Sequence, residues 1–355
     1  MATPSDTVYI SSTSAHTFAT TILVKYSIPL DRATLIADSL VLADLRGVDT
    51  HGINRLAGYI TRIEHGVLAP NPELTFSQRT PVMAHLDAQN TLGFVAASLA
   101  IDKGIEMARV YGVGIVAVRR SNHYGMAASY LLRATKQGFA AMAFTNAARS
   151  MPAWGSKEPL LGTSPFAVGV PGGERGDFIL DMSPSVAARG KIRKAARRGE
   201  RIPEGFALDA QGRPTTDPEA ALDGVVLPIG GPKGSGLAMM MDIFGGVMSG
   251  AAFGGEVNDQ YKDLEKPQNV GHWFMVFRPE VFLDGGLQEL RKRMDTLLER
   301  VRGSERAAGV DRIYTSGEIE AETEAKRREE GIPYSRGEVD GLNALAESAG
   351  VDVRL

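Results

Sequence analysis

Cysteine is absent from the 355 residues. That excludes disulfides, thiolate nucleophiles, and zinc or iron–sulfur sites held by cysteine. A charge excess is missing as well: 39 basic against 42 acidic side chains leave −3 at pH 7, too little to gather nucleic acid or an anionic membrane surface. Long apolar runs are scarce. The richest, LAMMMDIFGGVMSGAAF, carries Asp242 and is short for a bilayer span. The N-terminus, MATPSDTVYISSTSAHTF, has no basic start followed by an apolar run, so no secretory signal is expected and the protein is expected in the cytoplasm. Neither HExxH nor any other metal-ligand spacing occurs, and no metal is expected.

What is present is ordinary globular composition, 43% hydrophobic and 23% charged. Residues 13–45 read as two helices. Asp31 is placed to cap the second, in which Ile36, Leu40 and Ala43 recur at helical spacing. DTHGINRLAGYITRIEHG reads as the opening of a third helix, capped by Asp49 or Thr50. PVMAHLD, GVGIVAV, FAAMAF, PFAVGV, DFILDM and WFMVFR read as strands, with TLGFVAASLAIDKGIEMARVYG as a helix among them. The chain returns to helix in GLQELRKRMDTLLERVR, and Thr315…Glu318 and Ser335…Glu338 have capping-box spacing ahead of further helices. The expectation is an α/β (α+β) protein: a helical part over 1–78, a mixed-sheet domain over 79–284, and a helical part over 285–355 packing back on the first.

Two glycine patterns compete for a nucleotide. Gly112-x-Gly114-x-x-Ala117 fits the dinucleotide fingerprint as a string, but a helix precedes it and the strand follows, the reverse of what that turn requires. GGPKGSGLAMMM places Gly230, Gly231, Gly234 and Gly236 around Lys233, ahead of an apolar helix expected from about Leu237. An ammonium and open N–H groups at a helix start suit a phosphate or carboxylate, although a tight turn with an incidental lysine has the same letters. The basic run RGKIRKAARRGER, with Arg189, Lys191, Arg193, Lys194, Arg197, Arg198 and Arg201, is read as a solvated helix face. A cofactor phosphate or nucleic acid are the other readings.

His51 and Arg55 stand four apart. On one helix face they would put a group that exchanges protons near neutral pH beside a planar, permanently charged fork for a carboxylate, which suits the two ends of a 2-oxo acid. A helix cap and a surface arginine would share that spacing. A histidine at a helix start is biased toward neutrality, so a carboxylate partner is expected, and Asp181 at the end of DFILD is the candidate. His123, in SNHYG, is open to three roles: cofactor contact, second proton-transfer group, or a residue bonded to backbone at a helix start. His16, His65 and His85 have no supporting pattern.

The blocks ADLRGVDTHGINR, RRSNHYGMAASY, FTNAARSMPAWGSKEPLLGTSPFAV, LDMSPSVAARGKI, GGPKGSGLAMMMDIFGGVMSGA and QNVGHWFMVF occur in this order. Together they resemble the malate/L-lactate dehydrogenase-like (type 2) family, which includes ureidoglycolate, sulfolactate and diketogulonate oxidoreductases and a cyclic-imine (piperideine-2-carboxylate) reductase. The resemblance spans roughly residues 10–320. It implies a non-Rossmann nicotinamide-binding sheet domain, NAD or NADP as cofactor, a small-molecule 2-oxo or 2-hydroxy acid substrate, and a homodimer or higher homo-oligomer. By matched position it implies His51 as proton donor, with Thr50 and Asp181 as relay and Arg55 as carboxylate anchor. His123 matches a proton acceptor of the ureidoglycolate branch. His123, Tyr124, Gly125, Met126 and Ala127, then Asp181, Met182 and Ser183, Lys233 with Gly234, and Gly317 with Glu318 match cofactor contacts, while Asn146 and Thr163 match pocket-lining segments. GGPKGSG and YTSGE depart from the family's commoner GGYKGYG and proline-glycine-glutamate forms, which bears on cofactor preference. Reduction of a cyclic imino acid, a non-redox phosphate-ligand protein or transferase, and a nucleic-acid-binding protein are the alternatives.

Overall fold

The computed structural model describes residues 6–355; the first five residues of the stretch read for a signal lie outside the described residues. At the centre is a seven-stranded sheet, ordered Phe76–Thr80, Met83–Asp87, Val113–Ser121, Val270–Phe277, Ala140–Thr145, Phe166–Val170, Phe178–Met182. Only Met83–Asp87 and Val113–Ser121 run parallel. Parallel neighbours need a long crossover, and the helix Gly93–Tyr111 provides it. That helix ends at Gly112, whose left-handed backbone (φ 84°) returns its N–H to Ala108. At Gly114 a Cβ would collide with the Gly104 carbonyl. The fingerprint-like glycines are therefore a helix stop and a close helix–strand contact, and the mainly antiparallel sheet is no Rossmann fold.

The two chain ends meet. Thr7–Ile10 pairs antiparallel with Ile332–Ser335, and one core joins Phe18, Ile22, Ile36 and Leu40 to Tyr334 and Leu342. The Ser335/Glu338 capping box is present. Two other caps differ from expectation. The N-cap position of Leu30–Leu45 is Pro29, leaving Asp31 in the first turn without a capping bond. Glu318 does accept from Thr315 N and Oγ1. However, its helix starts only at Glu318, behind a left-handed Gly317, and the same carboxylate also pairs with Arg302 and Arg312.

Residues 186–226 form a small unit of their own. The helices Arg189–Arg198 and Pro218–Asp223 and a three-stranded sheet close over Ile192, Ala207, Ala221 and Val226. Most of the basic run is the solvated face of its first helix, with Ile192 as the buried anchor. Arg189 departs from that reading, being half-buried and donating to the Leu222 carbonyl. Arg193 is near enough to Arg55 to act on its charge, and Arg201 lies beyond the helix. No helix among the described residues is long and apolar enough to cross a membrane.

Candidate active site

The site starts where the helix Leu30–Leu45 ends. One helix running through His51 and Arg55 was expected; instead two single turns, Asp49–His51 and Ile53–Arg55, precede the helix Leu56–Glu64. The break is at Gly52, whose backbone is extended (φ −87°, ψ −161°). Its cause is Asp44, which sequence reading passed over inside an apolar helix. The Asp44 carboxylate is fully buried and accepts from Ile53 N at 2.9 Å and Tyr334 Oη at 2.7 Å. It fills the space beside Gly52 so completely that a Cβ there would fall within the carboxylate. Thus Asp44, not Asp49 or Thr50, fixes the turn, and Tyr334 ties it to the C-terminal strand. Burial pushes the Asp44 carboxyl up to about 7, against the pull of its two donors.

Above this turn the rings of His51 and His123 stack, with centroids 5.4 Å apart and planes 24° from parallel. Nδ1 of His51 shares a hydrogen bond with Thr50 Oγ1 (2.9 Å), and Nδ1 of His123 shares one with Tyr59 Oη (2.7 Å). Among the described residues neither Nε2 has a partner. Arg55 donates through Nε to the Thr50 carbonyl and lies 5.6 Å from the Tyr261 ring centre, while its two terminal nitrogens are unpartnered among the described residues. Burial, then the Arg55 charge, pulls His51 down to about 4. Burial, then His51, Arg55 and His272, pulls His123 well below the ordinary histidine value. Both imidazoles are neutral at pH 7, as two stacked rings beside a guanidinium should be.

Asp181 is the last residue but one of the edge strand Phe178–Met182, and its Oδ2 accepts from Ala128 N (2.8 Å) at the start of the helix Ala128–Thr135. Among the described residues it shares no hydrogen bond with His51, whose bonded partner is Thr50. Its side chain is reached by solvent yet surrounded by protein, as in the wall of a crevice. Burial pushes its carboxyl to about 6, against the Ala128 N–H. Other expected cofactor positions converge on this strand. Gly317 is left-handed and packs on Ile179 (a Cβ would be 2.9 Å from Ile179 Cβ), Gly234 packs on the Pro184 carbonyl, and Ser183 Oγ donates to the Thr163 carbonyl (2.6 Å). Tyr124, Gly125, Met126 and Ala127 are buried between the histidine pair and Asp181.

The glycine-rich segment differs from expectation. Its helix begins at Pro232, not Leu237. Proline has no N–H, and the amides of Lys233 and Gly234 already bond Gly230 O and Ile229 O, so these first amides are closed to an anion. What remains is the exposed Lys233 ammonium, unpartnered among the described residues. Asn146 is buried, with its amide accepting from Gly271 N (3.0 Å) and donating to Ala252 O (2.6 Å). His272 was missed. Fully buried, it bridges Ser121 Oγ (2.8 Å) and Thr145 Oγ1 (2.7 Å) and stacks on Tyr124 at 4.6 Å. A lone histidine in the apolar strand QNVGHWFMVF was the available signal.

An accessible carboxylate, an unpartnered ammonium and closely packed glycines fit a dinucleotide, whose ribose hydroxyls donate and whose diphosphate is anionic. With two stacked neutral imidazoles and a guanidinium fork open among the described residues, fold and site define an NAD(P)-dependent oxidoreductase of 2-hydroxy acids. The chain belongs to the malate/L-lactate dehydrogenase family, whose profile matches residues 10–343. It is 36% identical to the L-sulfolactate dehydrogenase of Methanocaldococcus jannaschii over 94% of each chain. The solved sulfolactate dehydrogenase of that organism superposes with a TM-score of 0.91 over 98% of both chains at 35% identity. The ureidoglycolate dehydrogenase (NAD(+)) of Escherichia coli K12 is 33% identical over 91% of each chain. The Δ1-piperideine-2-carboxylate reductase of Pseudomonas syringae superposes at 0.86, with 26% identity over 96% of this chain and 100% of that one.

Proposed function

We propose that this enzyme interconverts a small 2-oxo acid and its 2-hydroxy acid, with His51 as the proton-transfer group and Arg55 as the carboxylate anchor. One observation carries the reading: an imidazole with its Nε2 unpartnered beside a guanidinium whose fork is likewise open. The nicotinamide, when bound, supplies the hydride to C2 or takes it away. Arg55 holds the carboxylate through its two terminal nitrogens, while Thr50 Oγ1 fixes the plane of His51 from the far side of the ring. In oxidation the neutral His51 takes the C2 hydroxyl proton at Nε2 and becomes the imidazolium; in reduction that imidazolium, formed by proton uptake from solvent, returns it to the C2 oxygen, so reduction gains as pH falls. His123 backs His51 and, with Tyr124 through Ala127, belongs to the cofactor wall. Asp181 to Ser183, Lys233 with Gly234, and Gly317 with Glu318 complete that wall, supported by their convergence on the strand Phe178–Met182. Asp181 acts there as a ribose acceptor and Lys233 as a diphosphate cation. Thr163 borders the pocket, as does Asn146 by backbone.

The test is a panel of 2-oxo acids and cyclic imino acids with NADH and NADPH. Oxidation of either cofactor by an open-chain 2-oxo acid is expected; turnover confined to cyclic imino acids would overturn the substrate class. The depressed His51 also gives a pH signature. A group whose folded value is lowered to about 4 is already a free base at pH 5.5. At saturating oxidised cofactor, kcat/KM for the hydroxy acid is therefore expected to show no His51 inflection from pH 5.5 to 8; a step from the Asp44 carboxyl, about 7, should vanish in Asp44→Asn. An ordinary histidine would halve it near 6.5, and such an inflection surviving in Asp44→Asn counts against the assignment.

We also propose a homodimer or larger assembly in the cytoplasm. The location is supported by the need for a recycled nicotinamide pool. The assembly is supported by Met239, Ile243 and Val247, an i, i+4, i+8 stripe that is about half exposed beside Met248 and Phe253. Light scattering is expected to give at least twice the 38.0 kDa chain mass; a monomer would remove this part.

A further inference from the structure

We propose that Arg62 is a positioning residue that latches the loop 258–268 over the site so that Tyr261 holds the Arg55 fork in place, an inference that rests on Arg55 being the carboxylate anchor. Arg62 is 2% exposed yet has no salt-bridge partner among the described residues. Its guanidinium donates to three carbonyls of a single loop: Gln260 (3.3 Å), Asp263 (2.9 Å) and Lys266 (3.2 Å). A buried cation needs compensating partners, and here the carbonyl dipoles come from one short segment whose Asp263 and Asp259 carboxylates add their charge. The loop itself is closed. At its neck Asn258 N donates to the Gln268 carbonyl (3.1 Å) and Asn258 Nδ2 to the Pro267 carbonyl (2.7 Å). At its tip Asp259 Oδ1 accepts from Tyr261 N (2.8 Å) and Lys262 N (3.1 Å). Compact loops with joined ends move as one piece.

Two contacts connect this piece to the chemistry. Gln268 Oε1 accepts from the backbone N–H of His123 at 3.1 Å. Tyr261, about half exposed, faces Arg55. Arg55 is held from one side by the Thr50 carbonyl; the Tyr261 ring covers another and leaves the terminal nitrogens open. Arg55, Tyr59 and Arg62 all belong to the turn and helix spanning 53–64. That single stretch therefore supplies the anchor, the His123 partner and the latch.

The experiment compares Tyr261→Ala, Tyr261→Phe, Arg62→Met and Arg55→Met in the full chain. It measures KM and kcat for the 2-oxo acid, and the dissociation constant for reduced cofactor by fluorescence. Tyr261→Ala is expected to raise KM about tenfold with cofactor affinity unchanged, and Tyr261→Phe, which keeps the ring, to restore the wild-type value. Arg62→Met should raise KM similarly, and the Arg62→Met/Tyr261→Ala double variant no further, since both remove the same constraint. Should Arg62→Met fail to fold, Arg62→Lys, which keeps the charge but cannot reach all three carbonyls, takes its place; unchanged KM in the folded Arg62 variant while Tyr261→Ala is impaired overturns the latch. Unchanged KM in Tyr261→Ala, while Arg55→Met is impaired, overturns the latch alone. Unchanged KM in Arg55→Met overturns the anchor, and the latch with it.

Discussion

Replacing His51 with alanine is expected to lower kcat by about 10²–10⁴-fold, the range that a positioned acid–base group contributes, and to leave reduced-cofactor affinity within about twofold. At 1.36 kcal/mol per tenfold, the barrier rises by about 3–5 kcal/mol. The split between the two readouts follows from geometry. His51 is tied through Nδ1 to its neighbour Thr50, and the groups gathered around the strand Phe178–Met182 do not depend on its ring. A histidine that merely ended a turn would cost stability on truncation, leaving the rate per folded molecule intact. His123→Ala should behave differently, because it removes the face on which His51 stacks and the partner of Tyr59, loosening cofactor affinity together with turnover. Stopped-flow single turnovers and fluorescence titration measure both quantities. A His51→Ala enzyme within tenfold of wild-type kcat would sink the assignment.

What could be read from the letters was whatever rests on short-range periodicity. The alternation in PVMAHLD and the helical run ending at Gly112 map directly onto Met83–Asp87 and Gly93–Tyr111: the strand buries one face, and the helix is buried all round in its first turns and on one side thereafter. Seeing a helix before Gly112 was enough to reject a dinucleotide turn. The proximity of His51 and Arg55 was legible too, though for an incomplete reason: they lie on two successive turns, not on one helical face. What stayed hidden came from long-range contacts. Asp44 in LVLADL looks like a solvent-facing helical residue until Tyr334, 290 positions away, is brought against it. His272 reads as a strand residue until Ser121 and Thr145 enclose it. Arg62 reads as the polar face of an amphipathic helix, yet a loop nearly 200 residues on closes over it. The Asp181 carboxylate shares no hydrogen bond with His51 among the described residues. The backbone N–H of Ala128 serves instead.

The same hidden residue gives the second large effect. Gly52→Ala adds one methyl group and is expected to cost about 1–3 kcal/mol or more, with kcat falling roughly 10²-fold because the His51 turn must move by the better part of an ångström. The methyl would occupy the place of the Asp44 carboxylate. That carboxylate cannot withdraw without leaving Ile53 N–H and the Tyr334 hydroxyl unpaired in the interior, each a penalty of about 1–3 kcal/mol. The backbone angles at Gly52 are ones that alanine adopts without strain, so collision is the whole cause. That makes the prediction separable from a generic glycine effect. Asp44→Ala should destabilise on its own by orphaning the same two donors. In the Asp44→Ala/Gly52→Ala double variant the new methyl has room, so the combined loss should fall short of the sum. Thermal melts of the three variants, with kcat measured on the folded fraction, supply the cycle. Strict additivity, or a Gly52→Ala protein that melts and turns over like wild type, would show that the carboxylate does not hold the His51 turn.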